Sequence, residues 1–413
     1  MIVCKFGGTS VSDTISAKNI KKIVSSNPNR HIIVFSAIGK NKQYFKKVTD
    51  ELYECFFIYQ QNKSTSKSLL LNIFNKYKHL AKTLNVKFGF NKEFNRIISL
   101  INQNKLTKEY LVSRGEYLSA LLFSKYLGFK FLDASKYIIF NNNGKFNYAL
   151  TKARLNTLNK NKKYCIGGFY GGTKKGDIRI FPRGGSDITG AIIAKALNAE
   201  IYENYTDVNG VYNKNPNIFS NAVQLPFLNY KTAYQMADAG NEVVHKTALN
   251  FLKDSNTVLI VKNTRNSNCF GTVLVCTNYL FNDIYVCLSN AYLLEVKELD
   301  NLKLEKIKQY SNVKKTIFHN SKYYVIFDEL YVNKEKLLSI NLKASLYNAY
   351  MFTIFCNNKF DKNHIKKLKI LQKKLKNTQI LSKFLSYKNN FIVLCLKENY
   401  NKVVQELNKY LQK

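Results

Sequence analysis

Short, nearly unbroken apolar runs alternate with longer stretches of helical periodicity over about the first 280 residues. MIVCKF reads as a buried strand, RHIIVFSAIG as a second ending at Gly39, and KYCIGGFYGG as another running into glycines. EIYENYTDVNGVY and NTVLIVKN add two more strands. Between them, EYLVSRGEYLSALLFSKYLG predicts a helix stopped by Gly128, and RGGSDITGAIIAKALNA a helix opened by a glycine pair. Buried strands alternating with helices imply an α/β three-layer sandwich around a largely parallel sheet. Ligands of such sheets gather at the carboxyl ends of the strands, where the glycine-rich segments fall.

The texture changes past about Asn282. IYVCLSN, a helix near Glu298 to Tyr310, VKKTIFHN, KYYVIFD and a helix near Val332 to Leu342 spell strand, helix, strand, strand, helix. The same order recurs in AYMFTIFCNN, DKNHIKKLKILQKKLKN, TQILSKFLSY, NNFIVLCLKE and ENYNKVVQELNKYLQK. Two copies of one small α+β unit are therefore expected, over 283–345 and 346–413, following a larger domain over 1–280. Neither copy carries a cluster of reactive side chains, which points to regulation or assembly.

Composition narrows the class. The chain has 413 residues, 46% of them hydrophobic and 14% aromatic, enough for a packed core. No apolar run reaches the roughly 20 residues that span a bilayer, and MIVCKFGG leaves no room for a leader peptide, so a cytoplasmic protein is expected. Eight scattered cysteines lack metal or redox spacing. Lys and Arg number 64 against 27 Asp and Glu, a formal charge of +37. The lysines are spread among Asn, Ile, Tyr and Phe with no basic stripe, so nucleic acid is not expected as a partner, although anionic substrates would be attracted.

Four segments carry candidate chemistry. Lys5 precedes Gly7 and Gly8 at a strand end, where an ammonium and backbone N–H groups can meet phosphoryl oxygens; the same pattern also suits a plain turn. PRGGSD places Arg183, Gly184, Gly185, Ser186 and Asp187 at a helix start, an anion site or simply an N-cap. SRGE supplies Arg114 and Glu116, alternatively a surface helix pair. YTDVNGVY supplies Thr206, Asp207 and Tyr212 for a nucleotide, or a turn around Asn209 and Gly210.

In this order, KFGGTSVSD, VFSAIGK, LVSRGEYLSALL, GGFYGGTKKGDIRIFPRGGSDITGAIIAKAL and YTDVNGVYNKNP resemble the signature segments of aspartate kinases in the amino acid kinase family. The resemblance covers the chain, because such enzymes carry a regulatory region of two ACT modules, matching the doubled tail. It implies the amino acid kinase fold, ATP and Mg²⁺ as cofactors, and transfer of the γ-phosphoryl to the side-chain carboxylate of L-aspartate. This is the first step of lysine, threonine and methionine (diaminopimelate) biosynthesis. Lys5 and Asp187 would be catalytic. Ser36, Glu116, Phe169, Arg183 and Ser186 would bind aspartate, with Glu116 receiving the ammonium and Arg183 a carboxylate. Lys5, Phe6, Gly7, Gly8, Thr206, Asp207 and Tyr212 would hold ATP, with Mg²⁺ carried mainly by its phosphates rather than by protein ligands. A homodimer through the C-terminal region is also implied, whereas the tail is expected to bind lysine or threonine weakly or not at all, because the effector loops are not recognisable in it. No attached homoserine dehydrogenase is expected.

Three segments depart from the family pattern. Asn41, Lys42 and Gln43 stand where a substrate-binding threonine is usual; Asn215, Pro216 and Asn217 stand where an arginine follows Asp-Pro. GNEVVHK puts Glu242 at a lysine position and Lys246 at a proline position. The alternatives are a degenerate homologue with a structural or regulatory role, or a kinase of another substrate such as glutamate, acetylglutamate or UMP.

Overall fold

The computed structural model describes residues 1–411 apart from 88, 183, 242, 267, 277–283, 311–312, 320, 328–343, 357–359, 376–380 and 386–389. It forms two compact units. The first comprises Met1–Val211, Gln224–Tyr234 and Val243–Thr277; the second comprises Tyr212–Val223, Gln235–Glu242 and Asn278–Lys413. The second unit thus takes two segments from before residue 280 as well as the tail.

In chain order the first unit contains β1 (Ile2–Phe6), α1 (Thr14–Ser25) and β2 (Arg30–Phe35). Four helices follow: α2 (Val48–Tyr59), α3 (Lys63–Thr83), α4 (Asn91–Asn102) and α5 (Lys108–Leu127). Next come β3 (Lys130–Leu132), α6 (Ala134–Tyr137), β4 (Ile139–Phe140), α7 (Tyr148–Asn156), β5 (Tyr164–Gly167), β6 (Tyr170–Thr173) and β7 (Ile178–Ile180). It continues with α8 (Gly185–Ala196), β8 (Ile201–Thr206), β9 (Phe227–Asn229), α9 (Tyr230–Asp238, which runs on into the second unit), α10 (Lys246–Leu252), β10 (Val258–Asn263) and β11 (Thr272–Val275).

Eight strands form one sheet in the order β3-β5-β2-β1-β8-β10-β11-β9, and β10–β11 is its antiparallel pair. All five residues of β1 are buried, as a central strand of a sheet covered on both faces must be. Successive side chains of a strand point to opposite faces. Cys4 and Phe6 join Ile20 of α1 and Phe123 of α5 in one apolar cluster, with Phe35 stacked on Phe123 at 4.6 Å. Lys5 faces α8 on the other side. This is the three-layer sandwich expected from the alternating pattern.

KYCIGGFYGG is two strands rather than one. β5 lies in the large sheet and β6 in a small sheet of order β4-β6-β7. The chain breaks between them at Phe169, whose φ of +74° is left-handed. An L-residue pays about 1–2 kcal/mol for that conformation. The Thr189 hydroxyl on α8 accepts the Phe169 N–H at 3.0 Å and donates to the Gly185 carbonyl at 2.9 Å, which offsets part of the cost.

The second unit carries β12 (Ile284–Val296), α11 (Asn301–Tyr310), β13 (Val313–His319), β14 (Lys322–Phe327), β15 (Ala344–Cys356), α12 (Lys362–Leu375), β16 (Leu381–Leu385), β17 (Asn390–Leu396) and α13 (Tyr400–Leu411). Its sheet runs β13-β14-β12-β15-β17-β16, so the two halves repeat the same order outward from the centre. The central strands β12 and β15 pair antiparallel from Ile284↔Cys356 to Val296↔Ala344. Leu368, Leu371 and Leu375 of α12 and Val403 and Leu407 of α13 pack with Phe352, Phe391 and Val393. The helix expected near 332–342 lies outside the described residues.

Candidate active site

The carboxyl ends of four adjacent parallel strands, β5, β2, β1 and β8, meet at one edge of the large sheet. Gly7 and Gly8 follow β1, Ser36 follows β2, Gly168 and Phe169 follow β5, and Thr206 ends β8. Two glycines make the crossing possible. A Cβ on Gly39 would lie 2.5 Å from the carbonyl carbon of Gly8 and 2.7 Å from the Thr9 nitrogen, so only glycine lets the two backbones pass. The Gly39 N–H then donates to the Gly8 carbonyl at 2.9 Å. A Cβ on Gly168 would lie 2.6 Å from that of Ser186, so the first turn of α8 also closes directly onto the β5–β6 break.

Lys5 and Asp187, 182 positions apart, form an ion pair at 2.7 Å, both largely buried. Asn204 is the β8 residue in register with Lys5, and its side-chain N–H donates to the same Asp187 oxygen at 3.2 Å. The other Asp187 oxygen accepts the His245 N–H at 3.3 Å. Asp187 is thus held from three directions. It does not cap its helix, which begins instead at left-handed Gly184, φ +78°, with no side-chain cap.

Glu116 is 4% exposed, and its Oε2 has no hydrogen-bond partner among the described residues. Burial pushes its carboxyl up to about 8 from the usual 4.5, against the opposing pull of its own N–H, that of Ala37, and the Arg114 charge. Its surroundings are braced: the buried Tyr77 hydroxyl donates to the Gly115 carbonyl at 2.8 Å and accepts the Ile38 N–H at 3.4 Å. A Cβ on Gly167 would lie 2.9 Å from the Glu116 carbonyl oxygen, and one on Gly185 2.7 Å from the Phe169 ring. Glu116, Phe169 and Ser186 therefore line one continuous stretch of backbone approaches. A buried carboxyl with an unanswered oxygen is built to meet a cation.

Other candidates are placed differently. The Phe6 ring is fully buried, stacked on Tyr205 at 4.7 Å, and its carbonyl accepts the Ser36 N–H at 3.1 Å. The Gly7 N–H donates to the Tyr205 carbonyl at 3.0 Å, inside the sheet. Thr206 donates its hydroxyl to exposed Asp207 at 3.2 Å. Tyr212 belongs to the second unit, where its carbonyl accepts the Asn241 amide at 3.5 Å. Arg183 and Glu242 lie outside the described residues. Asn41 closes a turn, donating to the Ser12 carbonyl at 2.6 Å and accepting from the N–H groups of Gln43 and Tyr44. Asn217 is exposed, its N–H bound by Asn215.

Arg114 is no surface partner of Glu116. It is 2% exposed, paired with Glu93 at 3.2 Å and flanked by the rings of Tyr110 and Tyr117, each at 4.4 Å. Asn204, His245, Thr189 and Tyr77 were not singled out from the sequence. An asparagine inside the apolar run EIYENYT was the available signal for Asn204. His245 stood in GNEVVHK, read there only for its neighbours.

A family model described as "Amino acid kinase family" matches residues 1–263. Aspartokinase 3 of Bacillus subtilis (strain 168) is 30% identical over 290 residues, 67% of this chain and 63% of that protein. Aspartokinase 2, chloroplastic, of Arabidopsis thaliana is 30% identical over 300 residues, 66% of this chain and 54% of that protein. The chain thus spans less than two thirds of the length of these curated relatives. Among solved structures, E. coli aspartokinase III in complex with aspartate and ADP matches with a TM-score of 0.81 at 21% identity, covering 100% of both chains. The aspartate kinase of Clostridium acetobutylicum matches with a TM-score of 0.78 at 24% identity, covering 99% and 100%. These two likenesses are of fold.

Proposed function

The chain belongs to the amino acid kinase family, and from that premise we propose that it is an aspartate kinase, moving the γ-phosphoryl of ATP onto the side-chain carboxylate of L-aspartate. Two relatives named as aspartokinases, each at 30% identity, support the choice of substrate. The observation that carries the chemistry is the Lys5–Asp187 pair at the common end of four parallel strands, together with the buried Glu116 carboxyl whose Oε2 has no partner among the described residues.

The acceptor carboxylate is ionised at neutral pH, so the reaction needs no general base. The work is to bring two anions together and to neutralise the charge spread over the transferring group. Lys5 supplies that charge, and Asp187, fixed by Asn204 and the His245 N–H, holds the ammonium in one place. A group held before the reaction costs no reorganisation during it. Glu116 takes the substrate ammonium, which answers its free oxygen and lets it ionise. Arg183 binds a substrate carboxylate, Ser36, Phe169 and Ser186 line the acceptor pocket, and Thr206 and Asp207 hold the nucleotide.

Mg²⁺ bound with ATP supplies further charge neutralisation at the phosphate oxygens. Residues here fit an ion carried largely by the nucleotide, because both oxygens of Asp187 already accept from Lys5, Asn204 or His245. The doubled α+β unit supports a homodimer through the C-terminal region and a regulatory role for that region; no helix among the described residues is long and apolar enough to cross a membrane. Trapping acyl phosphates with hydroxylamine tests the substrate. Aspartate with Mg-ATP is expected to give a hydroxamate, and glutamate and N-acetylglutamate none. Turnover of either rival in preference to aspartate would overturn the assignment.

A further inference from the structure

A cavity in the first unit, of about 340 Å³, lies between α4, the start of α5, the Asp133–Ser135 turn and the β6–β7 hairpin. Its size is in the range of small-ligand pockets. Arg96, Lys105 and Arg114 line it together with the carboxylates of Asp133 and Asp177. Glu93 already neutralises Arg114 at 3.2 Å, so the remaining charges of the lining balance. A purely anionic or purely cationic guest meets charges of its own sign as well as the opposite one. A zwitterion has a pole for each.

Arg114 makes the cavity a built one. Burial and the flanking tyrosine rings fix its guanidinium. Of its five N–H groups, three meet Tyr110, Ser113 and Glu93, and two have no acceptor among the described residues. An unfilled fork of this kind suits a carboxylate. Asp133 accepts the Tyr170 hydroxyl through one oxygen at 3.0 Å, which leaves its second oxygen for a cation.

We propose that this cavity binds a small free α-amino acid, its carboxylate toward Arg114, Arg96 and Lys105 and its ammonium toward Asp133 and Asp177. The site is separate from the one built around Glu116. Arg114 and Glu116 lie two positions apart on α5, which puts them on different sides of the helix. Binding is nevertheless felt at the catalytic edge. Arg114 lies against the Tyr170 ring at 5.4 Å and Asp133 holds its hydroxyl, while Tyr170 directly follows the left-handed Phe169.

Calorimetric titration of the full chain with each of the twenty standard L-amino acids, one at a time, tests the proposal. Succinate and 1,5-diaminopentane serve as single-pole probes. The titrations are repeated with an R96A/K105A double variant, with D177N and with E116Q. Arg96, Lys105 and Asp177 are exposed, so their replacement leaves the fold intact. At least one amino acid is expected to bind wild type and E116Q alike and to bind R96A/K105A and D177N about tenfold or more weakly. Succinate and the diamine are expected to bind weakly to all. The proposal fails if no amino acid loses affinity in the two cavity variants, or if succinate matches the best amino acid there. It also fails if every amino acid that binds is lost in E116Q, which would place all binding at the Glu116 site.

Discussion

Replacing Glu116 with glutamine removes a carboxyl that the folded protein keeps protonated against its nature. The group has a folded pKa of about 8 and an ordinary value of 4.5. Between those values the native state holds a proton that the unfolded chain has released, so the stability of the wild type falls as pH rises. The stabilising contribution is whole below about pH 4.5 and is lost by the time pH passes about 8. From pH 5.5 to pH 8 the span of about 2.5 units, at about 1.36 kcal/mol each, gives about 3 kcal/mol once the approach to the folded pKa is allowed for. Glutamine is close in shape and does not titrate. Urea unfolding of wild type and Glu116→Gln without substrate, at both pH values, should therefore show the variant gaining about 3 kcal/mol relative to wild type on going to pH 8. Turnover of the same variant should be nearly abolished, because the ammonium loses its charged partner. An equal stability difference at the two pH values would refute the claim that Glu116 is buried, uncharged and waiting for a cation.

The KM for aspartate should fall close to tenfold per unit as pH rises toward about 8 and level off above it, since aspartate needs the ionised Glu116; a flat profile over pH 6–9 would contradict this. Thr189→Val leaves the buried Phe169 N–H without its acceptor and should cost about 1–3 kcal/mol in denaturant unfolding, with a higher KM for the acceptor than for ATP. Gly39→Ala drives a Cβ into the Gly8 carbonyl and should destabilise by about 1–3 kcal/mol while raising the KM for ATP; unchanged kinetics would show that the Gly8 turn does not shape the nucleotide end.

The sequence carried the three-layer architecture because buried strands and amphipathic helices have distinct periods, and the doubled tail because its element order repeats. Lys5 and Asp187 were legible as separate motifs, but their pairing is a fact of the β1–α8 approach, which no local pattern contains. Arg114 shows where local reading misleads. α5 is buried over most of its circumference, so an Arg-x-Glu that looks like a solvated pair is split between an aromatic cage and a second buried position on another side of the helix. Asn204 gained meaning only from its register with Lys5, and Thr189 only from the left-handed turn it secures. The strand break at Phe169 leaves no mark in the apolar pattern, because two strands in different sheets run on in sequence as a single apolar segment.

Phosphorus NMR of the full chain with Mg-ATP and L-aspartate, set beside the Lys5→Ala variant shown to be folded by its circular dichroism, tests the central claim most directly. The account predicts an acyl phosphate signal growing with ADP in the wild type and a loss of at least about a thousandfold in rate for the variant, as expected when the main charge on the transferring group is removed. Absence of the acyl phosphate with folded wild-type protein, or an unchanged rate in Lys5→Ala, would contradict it.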